Sequence, residues 1–252
     1  IYNWFANEQW SLTYAGKQAE ELLALLAEWG TARVIACNYA HKPGMAASLN
    51  DWLYRLAQDH PEIIPLATLH QDDPDLRTAA QQCLERGFAG FKIQCAVQRV
   101  SPADPRLWPL YETAIAYDCP VLIHAGTAPH PSPVLGIEHF RQLMKRYPRL
   151  KVQVAHLGMW EWEAFLALTE KYEGLYFDTA AIIDRHMAFP PDRLRSTLIT
   201  YQDRIIFGSD LPIMEGTYRD FMQYFLALDL PEEACRRIFY ANALKLYNIS
   251  LR

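Results

Sequence analysis

The chain has 252 residues, of which 51% are hydrophobic and 21% are charged, with a net charge of −5 at pH 7. A length of about 250 residues accommodates one α/β barrel or two smaller domains. The acidic balance argues against nucleic acid or an anionic membrane as the main partner, and no apolar run reaches the roughly 18 to 20 residues that cross a bilayer. The five cysteines form no C-x-x-C spacing, so we expect a reduced, cytoplasmic compartment.

Helical and strand patterns alternate along the chain. The first helix is predicted over 17–29, with Gly30 after its end. Asp73 followed by Pro74 indicates the start of a helix that ends at Gly87. Short apolar strands begin near residues 33, 63, 89, 120, 151, 174 and 205, and further helices are predicted over 46–58, 104–117, 137–146, 160–172, 191–201, 218–227 and 231–247.

This alternation predicts a parallel β-sheet covered by helices. A (β/α)8 TIM barrel is preferred over an open doubly wound sheet, because no strand is followed by a glycine-rich phosphate-binding loop. The pattern yields seven strands where a barrel has eight. We therefore expect the first strand to precede residue 1, the alternative being that residues 1–5 form it. We also expect residues 1–252 to be one domain, with two additional C-terminal helices at about 218–247.

Polar residues follow the predicted strands at their carboxyl ends, where α/β barrels build their active sites. His124, His156 and Asp210 are each the first titratable residue directly after a short apolar strand. Imidazole nitrogen and carboxylate oxygen are the ligands that a divalent metal such as Zn²⁺ takes, and the metal would offset the desolvation of Asp210. Taken singly, each histidine is more typical of a satisfied core or rim residue, and Asp210 of a helix cap. Their occurrence at three strand ends favours a metal site.

Other strand-end residues carry weaker signals. Lys92, His70 and Arg185 are candidates for binding substrate, although Lys92 is as compatible with a side chain that reaches solvent. Asp178 either supports a histidine or caps the following turn, with the cap slightly favoured. A solvated position is the better prediction for the remaining rim-loop histidines, His41, His130 and His186.

Four motifs in this order, PVLIHAGTAP, VQVAHLG, LYFDTAA and IIFGSDLPI, resemble the amidohydrolase superfamily, in particular its amidohydrolase-2 branch of metal-dependent TIM-barrel hydrolases and decarboxylases. The stretches IIPLATLHQDDPD, GFAGFKIQ and IFYANALKLYNI are similar to the same branch, so the resemblance extends from about the first helix to the C-terminus. It implies that His124 is a metal ligand, that His156 orients or deprotonates the attacking water, and that Asp210 is a metal ligand and proton shuttle. One divalent metal is implied, zinc in the first instance and manganese as the alternative.

The chain departs from the family pattern because it has no H-x-H pair at the end of a first strand. A first strand upstream of residue 1 would explain this departure. If the protein lacks the pair altogether, His124 and Asp210 alone would hold a metal weakly. The barrel would then be a catalytically inactive binding subunit.

The leading functional prediction is a metal-dependent hydrolase in which activated water attacks an amide, lactone or ester carbonyl. The alternative is a non-hydrolytic metal-dependent decarboxylase of an unsaturated or aromatic carboxylic acid. In either case we expect a small-molecule substrate, no nucleic acid and no membrane partner. A homodimer is left open as the assembly.

Overall fold

The computed structural model describes residues 10–127, 132–184 and 189–249, which contain seven parallel strands in one curled sheet of the α/β barrel type. The strands are β1 (Val34–Cys37), β2 (Ile63–Thr68), β3 (Phe91–Gln94), β4 (Val121–His124), β5 (Val152–Val154), β6 (Leu175–Asp178) and β7 (Ile205–Ile206). Each strand pairs with its neighbours in chain order, so the described part of the sheet has β1 and β7 as its edges. The predicted parallel α/β architecture is confirmed.

Helices connect and cover the strands. They are α1 (Ala19–Glu28), α2 (Ala46–Asp59), α3 (Leu76–Glu85), α4 (Cys95–Gln98), α5 (Trp108–Ala116), α6 (Ile137–Arg146), α7 (Trp162–Leu166), α8 (Pro191–Thr200), α9 (Tyr218–Ala227), α10 (Glu232–Arg236) and α11 (Asn242–Leu246). A π-helical turn, Arg237–Ala241, joins the last two helices, and 3₁₀ turns occur at Pro105–Leu107 and Ala167–Glu170. Within the described residues, none of the helices has the length and apolar character to span a membrane.

The start of α3 differs from its prediction. Asp75, rather than Asp73, is the residue that caps this helix, because its Oδ1 accepts a hydrogen bond from Thr78 N at 3.3 Å. Asp73 instead accepts hydrogen bonds from Gly44 N at 2.7 Å and His70 N at 3.1 Å. Asp73 therefore ties two loops at the carboxyl ends of the strands to each other.

Strand β7 is shorter than the apolar run 205–208 predicts. Phe207 N donates to Ile238 O in the π-helical turn at 2.7 Å, and Gly208 N donates to the Thr179 hydroxyl at 3.0 Å. These bonds take both amides out of the sheet ladder. The chain consequently leaves β7 two residues early and carries Asp210 onto the rim.

Successive residues of a strand face opposite sides of the sheet. In β3, Phe91 and Ile93 pack into the large core between sheet and helices, so Lys92 between them faces the inside of the curl. The inside also holds a smaller apolar cluster to which the end of the chain contributes two side chains. Its buried members are Leu66, Leu122, Ala155, Tyr176, Ile206, Leu246 and Tyr247.

Candidate active site

Four polar side chains occupy the inner face of the sheet near the carboxyl ends of four strands. They are Lys92 in β3, His124 in β4, Gln153 in β5 and Asp178 in β6, and each is at most 7% exposed. The pairing register sets Lys92 level with Leu122 and Gln153, and His124 and Asp178 follow two residues further along the same face of their strands. Burying four polar groups on one face of the sheet is costly in free energy unless they form hydrogen bonds or bind a ligand.

The rings of His124 and His156 lie next to each other. Their centroids are 5.2 Å apart, and the ring planes meet at 75°. His124 is the last residue of β4, whereas His156 stands in the loop that follows β5. Two of the three residues predicted at the site are therefore brought into direct contact.

The loop that carries His156 has an unusual backbone. Four successive residues have positive φ, namely His156 at 56°, Leu157 at 54°, Gly158 at 84° and Met159 at 61°. Non-glycine residues pay a steric penalty in this region and persist there only where the surroundings impose it. Such backbone strain is concentrated at functional sites, which supports a functional role for this loop.

Hydrogen bonds fix both the backbone and the ring of His156. Its backbone N donates to Asp178 Oδ1 at 2.9 Å, and its Nδ1 lies 2.7 Å from the carbonyl oxygen of Ala180. Because a carbonyl oxygen only accepts, Nδ1 must carry the hydrogen, which leaves Nε2 as the acceptor of the neutral ring. His156 is thus arranged to accept a proton, or to coordinate a metal ion, through its Nε2 atom.

Asp210 follows β7 and adopts a left-handed backbone with φ 65°. Asp210 is exposed as a residue. Desolvation by the neighbouring protein nevertheless raises the pKa of its carboxyl, a rise that His156 and Lys92 oppose and that Asp178 and Asp184 reinforce. These interactions put Asp210 in the same electrostatic environment as His156 and Lys92.

Lys92 is the cation of this environment. Its side chain is buried, and it interacts electrostatically with Asp210 and with the thiols of Cys37 and Cys95. Across the three described ranges, no residue forms a hydrogen bond or ion pair with its ammonium group. The side chain is thus buried at 7% exposure while its ammonium group bonds to no described residue. This arrangement suits an anionic group of a bound molecule.

The other predicted substrate-binding residues have different positions. His70 is buried at 3% exposure, and its Nδ1 accepts a hydrogen bond from Asp72 N at 3.2 Å. No hydrogen bond or ring contact within the described residues joins it to His124 or Asp210, so it belongs to the turn after β2. Arg185 lies outside the described residues, as do His130 and His186. His41 is exposed, as predicted.

Asp178 caps the following turn, as slightly favoured, and holds His156 by its backbone rather than by its ring. Its Oδ1 accepts from Ala180 N at 3.1 Å, which is the turn cap, and also from His156 N. Its Oδ2 accepts from Gln153 Nε2 at 2.7 Å, and Tyr247 OH in turn donates to Gln153 Oε1 at 2.8 Å. Sequence reasoning missed Gln153 and Tyr247, although a glutamine between two valines in an inner strand was a visible signal.

A divalent metal requires more ligands than this part of the chain supplies. Within the three described ranges, no group of three or more His, Cys, Asp or Glu side chains is arranged to hold a metal ion, whereas catalytic zinc takes three protein ligands. His124 and Asp210 are suitable donor types, but they form an incomplete set. The predicted metal ligation by these two residues therefore depends on donors outside the described residues.

The family model described as Amidohydrolase (Amidohydro_2) matches residues 8–249. The chain therefore belongs to the amidohydrolase family, in its amidohydrolase-2 branch. Members of this family are metal-dependent, and both hydrolases and decarboxylases occur among the similar structures. A search of curated proteins returned no match.

Solved structures share the fold at low sequence identity. A TIM-barrel protein from Bordetella bronchiseptica has a TM-score of 0.72 and 19% identity, covering 95% of this chain and 85% of its own. A dihydroxybenzoic acid decarboxylase from Polaromonas, with bound manganese and the inhibitor 2-nitroresorcinol, has a TM-score of 0.71 and 19% identity, covering 94% and 87%. A probable 2-pyrone-4,6-dicarboxylic acid hydrolase from Acinetobacter baumannii has a TM-score of 0.69 and 14% identity, covering 96% and 95%.

Proposed function

We propose that this chain is an amidohydrolase-type hydrolase that cleaves an amide, lactone or ester bond in a small carboxylic acid. One observation carries the proposal: the rings of His124 and His156 lie 5.2 Å apart at the carboxyl ends of the strands, where α/β barrels perform catalysis. Asp210 interacts electrostatically with His156 and with Lys92. Asp210 supplies a proton acceptor, His156 a second titratable group and Lys92 a cation.

The proton transfers are assigned to the chain's own side chains. Burial raises the pKa of Asp210, which makes its carboxylate a stronger base toward an attacking water. Asp210 would accept the water proton and deliver it to the leaving group. His156 would hydrogen-bond the water through Nε2, since Ala180 O occupies Nδ1–H. Lys92 would hold the carboxylate of the substrate.

The resident metal is proposed as zinc, with manganese as the alternative, and His124 and Asp210 as two of its ligands. Protein expressed from the complete reading frame should contain close to one equivalent of divalent metal. His124→Ala and Asp210→Ala should each lower that content, while His60→Ala should leave it unchanged, because His60 pairs with Glu62 away from the site. Less than about a tenth of an equivalent, with no gain after adding Zn²⁺ or Mn²⁺, would favour the inactive binding subunit.

Hydrolysis is tested by isotope incorporation. Small carboxylic acids that carry an amide, lactone or ester bond would be incubated with the enzyme in ¹⁸O-labelled water, and the products analysed by mass spectrometry. One ¹⁸O atom should appear in the product acid for each bond cleaved. Asp210→Asn should lower kcat by about 100-fold or more, as expected for the loss of a general acid–base group. Turnover without ¹⁸O in the product would rule out hydrolysis.

Decarboxylation is the second candidate, and the ammonium of Lys92, which bonds to no described residue, favours it as a holder of the substrate carboxylate. The bond between the carboxyl carbon and its neighbour would break, CO₂ would leave, and the electron pair that remains on carbon would take a proton from protonated Asp210. Release of CO₂ with one solvent hydrogen gained at carbon would identify this reaction. Lys92→Met should raise KM by about 10- to 100-fold in either reaction, because a charged hydrogen bond to the carboxylate is lost.

A further inference from the structure

A chain of buried hydrogen bonds runs from the C-terminal end of the fold to His156. Tyr247, directly after α11, donates through its hydroxyl to Gln153, and Gln153 donates to Asp178. Asp178 accepts from the backbone N of His156 at 2.9 Å. Each of the four residues is at most 5% exposed. We call this set, Tyr247–Gln153–Asp178–His156, the inner hydrogen-bond chain.

The donors and acceptors leave one orientation for each group. Both oxygens of Asp178 accept from N–H groups, which suits an ionised carboxylate. The Gln153 amide must therefore turn its NH₂ toward Asp178 and its oxygen toward Tyr247. The Tyr247 hydroxyl must be protonated in order to donate, and burial raises the pKa of this phenol well above its ordinary value.

Asp178 acts on His156 in two ways. Its Oδ1 holds the His156 amide directly, and it also accepts from Ala180 N at 3.1 Å. The carbonyl of the same Ala180 accepts from His156 Nδ1. Asp178 thus positions both the backbone of His156 and the carbonyl that selects its tautomer.

Packing alone does not require the hydroxyl of Tyr247. Its ring belongs to the apolar cluster inside the curl, where phenylalanine would fill nearly the same volume. The hydroxyl has a single bond in the described part of the molecule, and this bond is to Gln153. Removal of the hydroxyl would leave the buried oxygen of Gln153 unsatisfied and free its amide to turn.

We propose that Tyr247 and Gln153 are positioning residues that hold Asp178 in place and, through it, keep His156 in the Nδ1–H tautomer. Their effect on the reaction passes through His156 Nε2. The catalytic consequence rests on the proposed function. The effect on the tautomer does not depend on it.

The test compares Tyr247→Phe with Tyr176→Phe. Tyr176 belongs to the same interior cluster, and its hydroxyl forms no hydrogen bond with the described part of the chain. The ring nitrogens of His156 would be observed by ¹⁵N–¹H correlation spectroscopy on ¹⁵N-histidine-labelled protein, with His156→Gln to assign the signals. At about pH 8.5, the parent and Tyr176→Phe should show only the Nδ1–H tautomer. Tyr247→Phe should show a mixture.

If Tyr247→Phe does not fold, Gln153→Met removes the same link with a side chain of similar size and should give the same mixture. An unchanged His156 tautomer in a folded variant would overturn the proposal. With a substrate in hand, kcat should fall about tenfold while KM stays unchanged, as expected for the loss of one buried hydrogen bond. A tautomer change in a protein that turns over no substrate would support the positioning role and count against the proposed function.

Discussion

Gly126 and Gly158 face each other where the chain leaves β4 and β5. A Cβ on Gly126 would lie 2.4 Å from the carbonyl oxygen of Gly158, and a Cβ on Gly158 would lie 2.4 Å from the ring of Phe165. Two side-chain-free residues are therefore needed for the loops behind His124 and His156 to approach so closely. At the scale of single residues, these glycines set the distance between the two histidine rings.

Gly126→Ala should destabilise the protein by about 1 to 3 kcal/mol, because its neighbour is backbone and cannot move aside easily. The measurement is urea unfolding. Gly216→Ala is the matched control, since a Cβ there would have no heavy atom within 4 Å. Equal stabilities of the two variants would contradict the close packing of the two loops.

Lys92 is expected to matter for substrate binding rather than for stability. Its side chain is 7% exposed and its ammonium group bonds to no residue in the described part of the structure, so Lys92→Met should change the free energy of unfolding by at most about 1 kcal/mol while weakening substrate binding. Lys151→Met is the control, because Lys151 pairs with Asp118 near the surface at 2.8 Å and should change stability by at most about 1 kcal/mol, in the destabilising direction. A marked loss of stability in Lys92→Met would show that this lysine is structural.

At the scale of elements, helix α6 takes its cap from a distant loop. Its N-cap residue is Gly136, which has no side chain, and Glu161 supplies the missing acceptor to Ile137 N at 3.0 Å. The second carboxylate oxygen of Glu161 accepts from the Thr127 hydroxyl at 3.0 Å. Glu161 thereby connects the segment after His124, the start of α6 and the loop after His156.

Glu161→Ala should lower the free energy of unfolding by about 1 to 2 kcal/mol, since it removes a helix cap, whereas Glu161→Gln should keep most of the stability through its remaining acceptor oxygen. Glu163→Ala, which loses only a long surface pair with Arg193, should change stability by about 0.5 kcal/mol or less. Chemical denaturation of the three variants checks this order. A glutamine variant as unstable as the alanine variant would instead indicate that the negative charge provides the cap.

At the scale of the whole molecule, thiol reactivity reports how well the core excludes solvent. Burial raises the pKa of Cys37 and Cys83 to about 11 and that of Cys95 and Cys119 to about 12. Cys235 on α10 and Cys37 in β1 are both partly exposed, whereas Cys83, Cys95 and Cys119 are buried. The reactive species is the thiolate, so the first four should react slowly in the native state.

In native protein at about pH 8, we therefore expect one cysteine to react rapidly with a disulfide reagent such as DTNB. A thiol with a pKa near 11 is ionised in only about one molecule in a thousand at this pH, so the other four should react slowly. Cys235→Ser should remove the fast phase. Denaturation should expose all five cysteines of the parent chain. Two or more fast thiols in the native protein would contradict this picture of the core.

The amino-acid sequence by itself determined the alternation of strands and helices and the class of fold, because short apolar runs between amphipathic segments have few other solutions. It also identified His124, His156 and Asp210 as strand-end residues. The exact limits were less predictable: β7 ends early because its next two amides bond to Ile238 O and the Thr179 hydroxyl. Such competition comes from distant segments, which local patterns do not contain.

Tertiary structure alone decided which of these residues act together. The pairing register of the strands put Lys92 and Asp178 on the inner face of the sheet. The close packing of Gly126 and Gly158 brought the ring centroids of His124 and His156 to 5.2 Å from each other. The tautomer of His156 depends on Ala180, and the support of Asp178 comes from Tyr247, which is 94 residues beyond Gln153. Hydrogen-bond partners at such separations are set by the folded sheet, so periodicity in the sequence could suggest the residues but not their connections.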